Sequence, residues 1–364
     1  MAARSLMSGA RRYLAAAVLA LLLVPSVGMV VAPYETQSAA EHRALALPPN
    51  LPRDGRGWAL LPRRIDGWFA DHFAWRGYLV QANLKLQAAA GFKRGGDQVL
   101  RGKDDWLFLY AGLLAQTGGD VRPAVAKRYA EFVCQLQDEA RAHGARFLFA
   151  PAPGTAEIYP EALPDWTPRG SPTQPDLVLQ DARACGVQPL DLRPAMRAAK
   201  SGGEKLYLHH DSHWTNAGAL IAFNSMAAAL GQPWTIDAKS LDWRPGRPMD
   251  SDLIRLSGDL SLPQELAPEP PEGADNAPGE GQLKDLAVSP YPAPFVVPGA
   301  HPRPMVLVIG DSYTADFMRQ YFRRAGVTWA WSHAAECRFN RGILDRVKPD
   351  FVVLMPVSRL ESCR

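Results

Sequence analysis

The run Met305-Val306-Leu307-Val308-Ile309 is apolar at every position and ends directly on Gly310-Asp311-Ser312-Tyr313. A strand with no polar face belongs inside a sheet that is covered on both sides. Similar runs occur at residues 146–150, 327–331 and 351–355, and a shorter strand is expected over 187–192. Between them lie stretches of helical periodicity: 124–143, closed by Gly144, then 177–185, 215–230, 312–324 and 342–347. Thr215 is the expected N-cap of its helix. Strands alternating with helices in this way specify an α/β fold around a mostly parallel sheet. Upstream, residues 65–92 carry apolar side chains at helical spacing. Val99-Leu100, the turn Gly102-Lys103-Asp104-Asp105 and Trp106-Leu107-Phe108-Leu109 read as a hairpin.

With 364 residues, 47% of them hydrophobic, the chain can bury a full core. The net charge of +3 is spread along the sequence with no basic stripe, which argues against a nucleic-acid partner. Arg4, Arg11 and Arg12 precede an uncharged run from Tyr13 to Pro33. Residues 1–33 therefore read as a signal-anchor or a cleaved signal peptide, and either sends the rest of the chain out of the cytoplasm. Residues 34–62, with Pro48, Pro49, Pro52 and Pro62, read as a stalk, and 63–364 as the catalytic domain. Within that domain, residues 263–304 are dense in proline, glycine and acid and are expected to form a long insertion, either a lid or a segment without a role. The four cysteines lack metal or redox spacing. Three pairings are open, as are buried thiols; proximity favours Cys134 with Cys185 and Cys337 with Cys363.

Ser312 stands where a buried strand turns into a helix, at the end of the sheet where ligands gather. Free N–H groups at a helix start can stabilise an oxyanion, although Asp311 and Ser312 are also common capping residues. Asp211 and His213 lie two apart, so both side chains emerge on one side of an extended loop. An acid that orients an imidazole, and an imidazole that faces a serine, make a set for nucleophilic acyl chemistry. His209 and His210 crowd the same loop, but adjacent side chains point apart, which disfavours a metal centre. His42, His72, His143, His301 and His333 read as surface or structural, and Trp214 as core.

The pairing of Asp211-Ser212-His213-Trp214-Thr215 with a later Gly310-Asp311-Ser312 resembles the alginate O-acetyltransferase group of SGNH hydrolase-like proteins, AlgJ and AlgX. Supporting matches are Asp71-His72-Phe73-Ala74-Trp75-Arg76, Gly102-Lys103-Asp104-Asp105-Trp106, Ile158-Tyr159-Pro160, Gly258-Asp259-Leu260 and Pro349-Asp350. The chain departs from the pattern at Pro151-Ala152-Pro153-Gly154, where a lysine is expected, and at Ser358, where an acid is usual. The resemblance implies an SGNH hydrolase-like three-layer fold with a permuted order of catalytic blocks, and an enzyme that moves acetyl groups onto an exopolysaccharide at the periplasmic face of the inner membrane. It implies Ser312 as nucleophile, His213 as base and then acid, and Asp211 as the group orienting His213. Tyr207, Gly258, Asn340 and Arg359 become candidates for substrate or oxyanion contact. A multi-pass membrane acyltransferase would supply acetyl, with no cofactor and no metal. An acetyl esterase with the same triad, or a non-catalytic polysaccharide-handling scaffold, is the alternative.

Overall fold

The computed structural model describes residues 37–38, 43–44, 46–52, 54–73, 98–246, 251–259, 261–270 and 281–363. The chain divides into two units, Met1–Phe92 and Lys93–Arg364. In the first, β1 (Gln37–Ser38) pairs antiparallel with β2 (Arg43–Ala44), and α1 spans Gly55–His72. This helix starts ten residues earlier than position 65 and runs through Pro62, so part of the expected stalk is helical. Residues 1–33 and 74–97 lie outside the described residues, and with them the apolar N-terminal segment and most of the 65–92 helix. Among the described residues no helix is long and apolar enough to cross a membrane.

The second unit opens with the expected hairpin, β3 (Val99–Arg101) against β4 (Leu107–Leu109). After α2 (Leu113–Gln116), α3 (Pro123–Ala142) starts on proline, where the missing N–H costs no bond, and Gly144 ends it at a φ of 75°. Then come β5 (Arg146–Phe149), α4 (Thr155–Ile158) and α5 (Gln174–Ala184). A capping box between Thr173 and Asp176 starts α5. The strand expected over 187–192 does not form. Pro189 interrupts that stretch, Leu190 N–H gives a single bond to Phe149 O, and the chain turns into a helix, α6 (Arg193–Ser201), with Pro194 in its first turn.

Helix α7 (Asn216–Ala229) is capped by Thr215 Oγ1, which accepts from Gly218 N–H. Next are α8 (Asp252–Ser257), β6 (Gly281–Gln282) and β7 (Phe295–Val297). The site strand, β8, runs from His301 to Gly310. After it, the helix expected over 312–324 is two helices, α9 (Ser312–Phe317) and α10 (Arg319–Arg324), broken at Met318. The unit closes with β9 (Val327–His333), α11 (Gly342–Val347) and β10 (Phe351–Met355).

The main sheet has six strands in the order β5-β10-β8-β9-β7-β6. The first four are mutually parallel, and β7 and β6 add an antiparallel edge. The expected 263–304 insertion is therefore in part sheet: β7 shields the outer side of β9, while residues 271–280 lie outside the described residues.

Alternation along β8 divides the core. Val306 and Val308 face one cluster with Trp214, Phe223 and Tyr321, from the side of α7 and α10. Leu307 and Ile309 face another with Val133, Leu136, Val178 and Ile343, from α3, α5 and α11. Each fully buried aliphatic side chain contributes roughly 1.5–3 kcal/mol, so both helix layers are held firmly to the sheet's central strands. The result is a three-layer α/β/α sandwich, and its strands deliver the loops after β5, β8, β9 and β10 to one rim. The two favoured cysteine pairs are both bonded: Cys134–Cys185 links α3 to the end of α5, and Cys337–Cys363 links the turn after β9 to the C-terminal tail.

Candidate active site

Strand β8 must turn sharply at Gly310. A Cβ there would lie 2.3 Å from Thr314 Oγ1 and 2.8 Å from Met355 O, so no side chain fits. Asp311 is the N-cap of α9. Its Oδ1 accepts from Tyr313 N–H at 3.0 Å, and its Oδ2 accepts from Val357 N–H at 2.7 Å, clamping the turn to the loop after β10. Capping thus falls to Asp311, which leaves the Ser312 hydroxyl for other contacts. The Ser312 N–H makes no hydrogen bond among the described residues.

The opposing loop is folded by its own side chains. Tyr207 and Trp214 pair as an isolated antiparallel bridge, and Asp211 Oδ1 accepts from His213 N–H at 2.9 Å. The same oxygen accepts from His213 Nδ1–H at 2.8 Å. This sets the tautomer and points Nε2 at Ser312 Oγ, 2.8 Å away. Hydroxyl, imidazole and carboxylate therefore form one hydrogen-bonded chain. Two further bonds join the loops: Trp214 Nε1 donates to Tyr313 O at 3.0 Å, and the Tyr313 hydroxyl donates to Ser212 O. Trp214 is core, 1% exposed. His213 packs on Phe317 and Tyr313 yet keeps 15% of its side chain open, so a substrate can reach it.

A second carboxylate supports this loop. Asp252, the first residue of α8, accepts from Ser212 N–H at 2.8 Å and from Ser212 Oγ at 2.5 Å. Its own N–H donates to Asp211 Oδ2 at 3.2 Å, and its Oδ2 stands 3.9 Å from His213 Nδ1. Sequence reasoning missed it. The only available signal was an acid starting a short apolar helix, six residues before the Gly258-Asp259-Leu260 block that the resemblance singles out.

The charges follow from this packing. Burial disfavours a charged His213, but the Asp211 bond and charge, with the Asp252 charge added, outweigh it and raise the imidazole above its ordinary value; the positive Arg359 opposes them. For Asp211, burial pushes the carboxyl up, and the hydrogen bond and charge of His213 bring it below its usual value. Asp211, His213 and Asp252 also bring three potential metal-ligand atoms within 4.8 Å of one another. Those atoms are already engaged with one another and with Ser212, and a cation taking Nδ1 would displace the proton that orients the ring.

The other candidates are distributed around this centre. The Tyr207 hydroxyl is fully buried and donates to Pro153 O at 2.5 Å. Gly258 ends α8 at a φ of 70°, with its N–H on Ile254 O. Asn340 Oδ1 accepts from Gly342 N–H at 3.0 Å, at the start of α11. Arg359 stands over the Tyr313 ring at 5.3 Å and donates to its hydroxyl at 3.1 Å. Of the four, Arg359 is the one that hydrogen-bonds a residue adjoining Ser312. His209 bonds Glu265 and His210 bonds Pro263 O, so the two side chains do not point apart as expected: both turn toward the 263–265 segment, which supplies acceptors to each. His333, read as surface or structural, ends β9 opposite Gly310 and stacks on Tyr291 at 4.2 Å.

Behind the loop after β10 lies a buried acid pair. Glu157 Oε2 accepts from Gly154 N–H at 2.8 Å, from Gln116 Nε2 at 3.1 Å and from the Ser358 hydroxyl. Glu361 is 2% exposed, and neither of its carboxylate oxygens has a hydrogen-bond partner among the described residues. Burial, and then the charge of Glu157, push its carboxyl well above the usual range. An acid raised in this way favours the protonated native state, so its destabilising effect grows as pH rises above the unfolded value. Glu361→Met is expected to gain about 1–3 kcal/mol of stability at pH 8 and less at pH 5, measured by thermal melting. Equal gains at both pH values would contradict this.

A serine at the carboxyl end of a parallel strand, served by an acid–histidine loop in a three-layer sandwich, defines an SGNH hydrolase-like protein. Residues 99–326 match the family model described as SGNH hydrolase-like domain, acetyltransferase AlgX, and the chain belongs to that family. It is 29% identical over 160 residues to a probable alginate O-acetylase AlgJ of Pseudomonas syringae pv. tomato, covering 42% of this chain and 39% of that protein. A second protein of that name, from Azotobacter vinelandii, is 24% identical over 238 residues, covering 62% of this chain and 56% of the relative. The chain thus spans less than two thirds of the length of these curated relatives. Among solved structures, Bacillus cereus PatB1 with a sulfonyl adduct superposes with a TM-score of 0.55 at 12% identity, covering 73% of this chain and 98% of that one. That likeness is one of fold.

Proposed function

We propose that this protein transfers acetyl groups to hydroxyls of an exopolysaccharide through an acetyl ester on Ser312. The observation that carries this reading is the unbroken chain from Ser312 Oγ to His213 Nε2 and from Nδ1 to Asp211, 2.8 Å at each link. Ser312 Oγ attacks the acetyl carbonyl carbon while His213 Nε2 takes its proton. The tetrahedral intermediate then collapses, and the proton leaves on the donor's oxygen. In the second half a sugar hydroxyl gives its proton to Nε2, attacks the acetyl carbon and departs as the ester, and Ser312 regains its proton. Asp211 holds the ring and stabilises the imidazolium formed in each half. The unbonded Ser312 N–H supports a role as oxyanion donor, and Arg359, which has no ion-pair partner among the described residues, adds positive charge against the adjoining Tyr313 side chain.

The relatives' name makes alginate the first polymer to test. Two disulfides support an oxidising, periplasmic location, with a multi-pass membrane acyltransferase as acetyl donor. The test is purified protein given an activated acetyl ester with and without oligosaccharide acceptor. Sugar acetylation should outrun acetate release, whereas faster acetate release would make the protein an esterase. Because His213 must be neutral to accept a proton and its pKa is raised, Ser312 acetylation should increase with pH through a midpoint above 6.5. A midpoint at or below that value would contradict the assignment.

A further inference from the structure

A polar cavity of about 350 Å³ opens on the rim where the strands end. Its lining comes from α4, from the segment after 187–192 and from the loop 163–171. Three arginines, Arg169, Arg193 and Arg197, line it together with three acids, Glu157, Asp176 and Asp191. Arg193 is engaged by Asp191 and Asp176, while Arg169 and Arg197 give one carbonyl each a bond and keep further N–H groups. The charges balance, so what remains is donors and acceptors without a net field, a chemistry suited to hydroxyl groups more than to a strong anion.

Glu157 is the informative member. It is 6% exposed, and Oε2 takes its three bonds from Gly154, Gln116 and Ser358. Oε1 has only the Arg193 guanidinium, at 3.6 Å, beyond hydrogen-bond range. A carboxylate oxygen so placed in a cavity wall has capacity for a ligand's hydroxyl. The second observation is Trp166, 65% exposed, in the loop that lines the cavity at Leu163 and Arg169. An exposed indole three residues from both Leu163 and Arg169, on the loop that lines the pocket, can add a stacking face to its hydrogen-bonding groups, as one side of a pyranose ring requires.

The cavity's position suits that use. It follows β5, and Ser312 follows β8, two strands away in the sheet order. Neighbouring strands are about 4.8 Å apart, so the strand ends that lead toward the two sites are roughly 10 Å apart along the rim. Between them lies the loop after β10, where Ser358 bonds Glu157 and Arg359 bonds Tyr313.

Resting on the proposed acetyl transfer to a polysaccharide, we infer that this cavity, with Trp166, is a subsite holding a pyranose unit of the acceptor chain away from the unit being acetylated. The probes are β-1,4-mannuronate and β-1,4-glucose oligosaccharides, each as disaccharide and hexasaccharide. Trp166→Ala and Arg169→Ala should each raise KM for the preferred hexasaccharide ~3–10-fold and leave that for the disaccharide unchanged. Acetylation of Ser312 by a small ester should stay at the wild-type rate, and Trp166→Phe should restore most of the loss. Equal shifts for both acceptor lengths, or none, would overturn the subsite. Titration of each hexasaccharide into Ser312→Ala protein decides it independently of turnover: Trp166→Ala in that background should weaken binding by the same factor, and absent or unaltered binding refutes it. Failure of the transfer reading alone appears differently, as hexasaccharide binding that depends on Trp166 with no acetylated sugar.

Discussion

Ser312→Ala is expected to lower acetyl transfer by a factor of about 10⁴–10⁶ while leaving the fold intact. The serine is the atom on which the acetyl group would rest, and its loss removes the two-step route outright. Structural cost should be small, because Asp311 caps α9, and Ser312 contributes only its bond to His213. The measurement is intact-protein mass after incubation with an acetyl ester, together with polymer acetyl content in cells carrying the variant at unchanged protein level. A variant that still becomes acetylated at this position's peptide, or cells whose polymer keeps its acetyl groups, would remove Ser312 from the mechanism.

Asp211→Asn should cost about 10⁴-fold, nearly as much, without removing any reacting atom. An amide in that place either presents its own N–H₂ to His213 Nδ1, forcing the proton to Nε2, or offers a neutral oxygen that stabilises the imidazolium poorly. Both outcomes leave Ser312 without a competent base. Asp252→Asn provides the contrast. It holds the loop through Ser212 and approaches the ring only at 3.9 Å, so losing its charged hydrogen bonds should cost roughly 10–100-fold. Removing its negative charge should also move the pH midpoint of Ser312 acetylation downward, because that charge helps hold the imidazole pKa up. If the two variants lost equal activity with no change in midpoint, the division of labour between these acids would be wrong.

What could be read without coordinates was whatever depends on local pattern. The all-apolar run before Gly310 specified an interior strand, and the sheet places it there between β10 and β9. Asp211 and His213 were legible because their spacing makes their contact local. The cysteine pairs were guessed from proximity, and that guess holds. Asp252 was not legible: its partner Ser212 is forty residues away, and nothing in either neighbourhood records the meeting. Residues 187–192 misled because an apolar stretch signals burial without saying how; Pro189 and Pro194 were the better guides. The antiparallel edge from Gly281–Gln282 and Phe295–Val297 was hidden by the proline and glycine around it, since two- and three-residue strands carry too little alternation to register.

The Cys337–Cys363 bond has a consequence for where such a chain can be fully assembled. The segment that locks Asp311 and carries Arg359 lies between the last strand and this covalent knot, so it is tethered at both ends. Closing a ring of this size restricts the unfolded chain by an amount equivalent to about 3–4 kcal/mol. Before thiol oxidation, the tail that follows Ser358 and Arg359 is anchored from one side only. Maturation outside the reducing cytosol would thus complete the rim as well as fasten the terminus.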